Sequence, residues 1–258
     1  VFSLFMLYSP SFFGTVFAEP SMAEYTCYPI FQINAVEPNI LIILDNSGSM
    51  NEAAYSGAYD DSTEYYGYFE PHKKYSHASN LWSRDPASGT WDGNFLNWLC
   101  MRRTDVARKV LMGGKATSRT GGGNQTNIGE TGAGWNFTKT YDDTDGVNPF
   151  AAGTTKNFSI EDGNFIVDGF TYAIKVDKNM VAYPDEAASF EDGNLAGVLQ
   201  KVGDKARRGN EFFNDGTGNN ESGGTVISTI GTNMTTLITD LQNTGCDTKT
   251  PLAESYYV

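Results

Sequence analysis

Apolar positions in this chain gather into a few dense runs separated by long polar stretches. "NILIIL" at 39–44 is continuous, Ile-rich and bounded by turn residues, which predicts a strand buried on both faces of a parallel sheet. Its polar exit is abrupt, with Asp45, Ser47 and Ser49 at alternate positions around Gly48. Between 94 and 112, Phe95, Leu99, Val106 and Val110, flanked by Leu96, Ala107 and Leu111, keep helical spacing until Gly113-Gly114 stops the run. One long helix packed on the sheet is expected there, with Arg102, Arg103, Arg108 and Lys109 on a solvated face.

Weaker patterns follow. "NFIVDGFTYAIKVD" at 164–177 alternates enough to predict two short strands around the turn pair Asp168-Gly169. Residues 195–203 suit a short helix, and 206–216 and 223–231 suit strands. Met234, Leu237, Ile238 and Leu241 stand at i, i+3, i+4 and i+7, a helical face with Thr232 as its expected N-cap. Thr250 before Pro251 is a helix-start signal. Residues 52–93 and 115–160 are rich in Gly, Thr, Asn, Asp and Tyr without sustained period, and read as long insertions. The pairs "EDGN" at 161 and 191 read as turns.

At the N-terminal side, residues 1–18 are apolar, uncharged and end in Val16-Phe17-Ala18, as a signal peptide cut before Glu19 would. Pro20, Pro29 and Pro38 make 19–38 an extended lead-in. The organisation expected is therefore an exported chain with an α/β domain over 39–258, interrupted at 52–93 and 115–160.

Charge and composition exclude several functions. With 31 acidic and 18 basic residues the formal net charge is −13, and no basic stripe is present to follow a phosphate backbone, so nucleic acid is not an expected partner. Cys27, Cys100 and Cys246 lack metal-like spacing, and sequence alone does not choose among disulfide pairings and free thiols. There is no G-x-S-x-G, and His72 and His77, at i and i+5 in "EPHKKYSH", suit solvated loop positions rather than a zinc pair or a catalytic base. "MGGKAT" lacks the spacing of a phosphate loop, and "YDDTDGVN" lacks that of an EF-hand. No enzyme is expected.

The remaining chemistry lies after the first strand. A hard cation takes about six oxygens. Asp45 brings charge to the end of a rigid strand, and Ser47 and Ser49, alternate along a tight turn, can aim both hydroxyls to one side. The carboxyl ends of parallel strands are also where open α/β sheets bind ligands. In that context "ILDNSGSM" resembles the metal-ion-dependent adhesion site of a von Willebrand factor type A domain.

The resemblance extends along the chain. "YTCYPIF", "WDGNFLNWLCMRRTDVARKVLMGGK", "RRGNEFFN" and "TPLAES" are together similar to the N-terminal part of the large tip-associated adhesins of bacterial type IV pili, the PilY-type proteins. This implies a Rossmann-like type A fold, with a central, mainly parallel sheet flanked by helices. It also implies a divalent cation, Mg²⁺ first with Ca²⁺ or Mn²⁺ as alternatives, held by Asp45, Ser47, Ser49 and Thr250. The metal-binding aspartate of the next loop and the later strands are not in the sequence, which reads as an N-terminal piece. The implied role is metal-dependent binding in pilus biogenesis and adhesion at the cell surface or pilus tip. Expected partners are a protein or host-surface ligand offering a carboxylate, and pilins or minor pilins. The alternative is an assembly scaffold with no adhesive role.

Overall fold

The computed structural model describes residues 37–132, 134–143, 148–214, 223–250 and 255. The expected signal peptide, most of the lead-in, Cys27 and the helix expected from Pro251 lie outside the described residues. Strand β1 (Asn39–Leu44) forms as its Ile and Leu content predicts, and the hydroxyl turn follows it directly. The next stretch contains β2 (Lys74–Ala78), β3 (Leu81–Arg84) and β4 (Trp91–Asp92), so 52–93 is not simply a loop. Helices α1 (Gly93–Cys100) and α2 (Arg103–Met112) come next.

Residues 115–160 likewise hold strands: β5 (Asn124–Ile128), β6 (Phe137–Asp143) and the start of β7 (Thr154–Glu161). The predicted hairpin follows as β8 (Asn164–Val167) and β9 (Phe170–Ala173), with Asp168 and Gly169 at φ 50° and 79°, the left-handed pair its two-residue turn requires. Beyond it lie β10 (Lys175–Asn179), β11 (Phe190–Glu191), β12 (Asn194–Leu195), the short α3 (Val198–Val202), β13 (Arg207–Phe213), β14 (Gly224–Ser228) and α4 (Met234–Asn243). Both "EDGN" turns close hairpins, β7–β8 and β11–β12. Asn233 rather than Thr232 caps α4, accepting the Thr236 N–H at 2.9 Å.

The strands form several small sheets rather than one central parallel sheet. β1 pairs in parallel with β13, and β14 runs antiparallel on the far side of β13. The order β4-β2-β3-β10-β5 makes a mixed sheet of five strands, and β6-β7-β8-β9 an antiparallel meander. Among the described residues parallel pairing is confined to β1 with β13, a single register position between β3 and β10, and an isolated bridge between Ser47 and Thr248. The chain is α/β, but the described residues do not build the expected large parallel sheet.

Burial of β1 also departs from expectation. Ile42 and Leu44 pack on Phe212, Leu237 and Leu241, whereas Ile40 and Leu41 are 42% and 40% exposed. The exposure follows the length of the strand and not its faces: Asn39–Leu41 are exposed and Ile42–Leu44 half-buried, so among the described residues only the carboxyl half of β1 is covered.

The larger core joins the stretches expected to be loops to the predicted helix and hairpin. Trp82, Trp91, Phe95, Trp98, Phe158 and Phe165 meet at the centre of an aromatic cluster drawn from β3, β4, α1, β7 and β8. The sequence between them has no sustained period because the contributing strands are short and joined by polar turns. Two asparagines of "GNFLNW" explain how the preceding irregular segment is held. Asn97 accepts the Phe69 N–H at 3.0 Å and donates to the Tyr65 and Phe69 carbonyls, and Asn94 accepts the Tyr65 N–H at 2.7 Å and donates to the Thr63 carbonyl. These buried amides replace the ladder bonds that the segment lacks.

The single helix expected over 94–112 is broken at Met101–Arg102. Both residues are extended, because Ala54 N–H donates to the Met101 carbonyl at 2.9 Å and Arg103 N–H to the Glu52 carbonyl at 3.1 Å. Tertiary pairing thus overrides helix propensity. The break also changes which face of α2 is inside. Val110 is 48% exposed, whereas Arg102, Arg108 and Lys109 are buried, and Arg103 alone of the four cations is exposed as expected.

Cys100 and Cys246 are buried free thiols, each raised by burial. His72 is exposed and pairs with Glu64 at 3.0 Å, while His77 lies in β2, half-buried against Trp82 and Tyr172, rather than in a solvated loop. No helix among the described residues is long and apolar enough to cross a membrane.

Candidate functional site: the hydroxyl turn after β1

Strand β1 delivers Asp45 to its carboxyl end, and the chain then turns sharply. One carboxylate oxygen of Asp45, Oδ1, accepts the Ser47 N–H at 2.8 Å, which folds the turn back over the strand end. Ser47 Oγ and Ser49 Oγ stand 3.0 Å apart, brought to the same side as alternate positions of the turn. Gly48–Asn51 then forms one 3₁₀ turn. Ser47 is buried, while Asp45 and Ser49 are half-buried.

Asn46, which points the other way, fastens the turn to its neighbours. Its Oδ1 accepts the Phe213 N–H at 2.9 Å at the end of β13 and the Thr248 hydroxyl at 3.2 Å. The segment after α4 lies along the turn: Gly48 N–H donates to the Thr248 carbonyl at 2.9 Å, and Thr248 N–H to the Asn46 carbonyl at 3.3 Å. Thr250 follows two residues later and is exposed, and among the described residues no hydrogen bond joins it to Asp45, Ser47 or Ser49. The structure therefore brings Asp45, Ser47 and Ser49 together and runs the threonine segment beside them.

The oxygens fit a hard cation. The two serine hydroxyls hydrogen-bond to one another at 3.0 Å, a separation that two ligands at cis positions of an octahedral Mg²⁺, each about 2.1 Å from the ion, would also have. Asp45 Oδ2 is left without a partner among the described residues. No cluster of three or more His, Cys, Asp or Glu exists among the described residues, so the set is one carboxylate with hydroxyls, suited to Mg²⁺ and unsuited to a soft metal.

Residues that the sequence did not assign to the site as ligands complete the surroundings. Gly48 faces the indole of Trp135: a Cβ added there would lie 2.5 Å from Cζ2. Trp135 is held through its own backbone, its N–H donating to the Gly132 carbonyl at 2.7 Å and its carbonyl accepting Arg102 Nη1 at 2.5 Å. The same buried guanidinium donates to the Asn51 carbonyl at the end of the 3₁₀ turn and to the Glu130 carbonyl at 3.3 Å. Arg103 reaches the Ser49 carbonyl at 3.2 Å while pairing with Glu52 at 2.9 Å. The sequence pattern puts both arginines on the solvated face of one unbroken helix, and the break that turns Arg102 inward depends on pairing with residues 52–54.

A buried charge network stands behind the turn. Arg108 pairs with Glu130 and donates to the Leu241 and Thr244 carbonyls at 3.3 and 2.6 Å, joining α2 to the end of α4. Lys115 reaches Glu130 at 3.2 Å. Burial raises the Glu130 carboxyl, but Arg108 and Lys115 outweigh it and hold it down at about 2.

Fold and site together define an α/β chain with an oxygen-lined turn at the carboxyl end of a parallel strand. Residues 56–180 match the family described as the PilY1 homolog, small alpha/beta domain. The match is to this domain and not to a von Willebrand factor type A domain. It spans β2 to β10 with α1, α2 and Trp135, while β1, the hydroxyl turn and the Thr248 segment flank it. Comparison with curated proteins and with solved structures gives no match.

Proposed function

We propose that this chain is the metal-dependent binding part of a type IV pilus-associated surface protein, and that the flanking residues belong to a von Willebrand factor type A fold around the matched domain. The observation carrying this reading is the 3.0 Å pair of Ser47 and Ser49 hydroxyls beside Asp45 at the end of β1. The parallel pairing of β1 with β13 supports it, because ligands of open α/β sheets bind beyond the carboxyl ends of parallel strands. The match over 56–180 supports the pilus association.

Asp45, Ser47 and Ser49 would hold a divalent cation, with Thr250 as a further hydroxyl from the neighbouring segment. A cation with so few charged ligands supplies an electrophilic position for a partner's carboxylate. Asn46 keeps the turn on the strand end, and Arg102 fixes its far end, so the oxygens meet a partner without rearrangement. Such a site recognises rather than catalyses. The partners it suits are a protein or host-surface carboxylate and the pilins of the same assembly.

The test is a double variant, Asp45→Ala with Ser47→Ala, in the full-length protein. Calorimetric titration with Mg²⁺ should show binding to the wild type and none to the variant, and the variant should lose adhesion or surface pili. Wild-type adhesion and piliation in the variant would sink the metal role. Loss of piliation with normal adhesion by the remaining pili would favour the assembly scaffold.

A further inference from the structure

Resting on the metal-dependent reading above, we propose that Trp135 is the specificity-determining residue of the site. Its indole forms an apolar wall beside the hydroxyl pair, selecting acidic peptide segments whose Asp or Glu is followed by an apolar or aromatic side chain.

The position of the ring is the first argument. Gly48 stands between the two serines, and only hydrogen there leaves room for the indole, since a Cβ would lie 2.5, 2.8 and 3.0 Å from Cζ2, Cε2 and Nε1. The ring is nonetheless 45% exposed, so packing on the turn does not consume it. Scattered exposed aromatics need no explanation, but this one packs on Gly48, the residue between the two serines.

The second argument is rigidity. Arg102, fully buried, holds both the Trp135 carbonyl and the Asn51 carbonyl, so the indole and the oxygen turn share one support. A large side chain whose backbone is already fixed loses little entropy on contact, which is why tryptophan dominates binding hot spots. A cation with hydroxyl ligands accepts any carboxylate, so discrimination between acidic partners must come from what surrounds it. Trp135 is the large apolar group shown against the turn.

The experiment compares two synthetic peptides in Mg²⁺, identical except that Asp is followed by Phe in one and by Ser in the other. Wild type should prefer the Phe peptide about tenfold. Trp135→Ala should bind Mg²⁺ as wild type does, yet bind both peptides equally weakly, and Trp135→Phe should keep most of the preference. Tb³⁺ emission excited through tryptophan should appear in wild type and fall in both variants, reporting that the indole lies beside the metal. An unchanged preference in Trp135→Ala with Mg²⁺ binding intact, or no peptide binding by Mg²⁺-loaded wild type, overturns the role of Trp135 and leaves the metal site standing. Absence of Mg²⁺ binding by wild type overturns both.

Discussion

Gly48 N–H donates to the carbonyl of Thr248 at 2.9 Å, so the turn after β1 is closed by a segment from the far end of the described chain. The hydroxyl of Thr248 is spent on structure, donating to Asn46 and bordering the Lys249 carbonyl at 3.0 Å, whereas Thr250 is exposed. The two threonines therefore separate by experiment. Thr248→Ala should lower stability by about 1 kcal/mol. Thr250→Ala should leave the denaturation midpoint unchanged and weaken Mg²⁺ binding by calorimetry.

Glu130 gives stability a pH signature. Its folded value, about 2, lies below the ordinary 4.5, so the unfolded chain takes up the proton first as pH falls. Its contribution should be complete above about 4.5 and disappear as pH drops towards about 2. Glu130→Gln leaves Arg108 buried without its counter-charge and should cost about 3 kcal/mol at pH 7, read by urea denaturation. The same variant should show a flatter acid limb.

Lys109 works in the opposite sense. It is 7% exposed, its ammonium has no hydrogen-bond partner among the described residues, and burial lowers it to about 7. Between that value and the ordinary 10.5 the unfolded chain holds more protons, so this group makes stability rise with pH across that window. Lys109→Met removes a buried charge at similar volume and should stabilise the protein by about 1–2 kcal/mol at pH 6. Thermal melts at pH 6 and pH 10 should show the gain shrinking at the higher pH.

Arg102 connects the domain matched over 56–180 to the hydroxyl turn. Arg102→Ala leaves the Asn51 and Trp135 carbonyls without their donor and opens a cavity at a fully buried position, so a loss of about 3 kcal/mol is expected by chemical denaturation. Tryptophan emission should also shift to the red as the loop carrying Trp135 loosens.

Local pattern alone located β1, the hairpin at Asp168-Gly169, β13, β14 and α4, because each has its own periodicity or turn chemistry within a few residues. It also identified Asp45, Ser47 and Ser49 as one oxygen group, since their spacing and the strand before them need no distant contact. Tertiary structure decided the rest. The break at Met101–Arg102 comes from pairing with residues 52–54, and the burial of Arg108 depends on Glu130 and the end of α4, partners that no local window contains. Short strands such as β4 and β5 show too few alternations to be read, yet together they enclose the aromatic core. Trp135 reaches Gly48 through the fold alone, because what places the ring is a buried guanidinium and a missing Cβ, and neither leaves a periodic trace in the sequence.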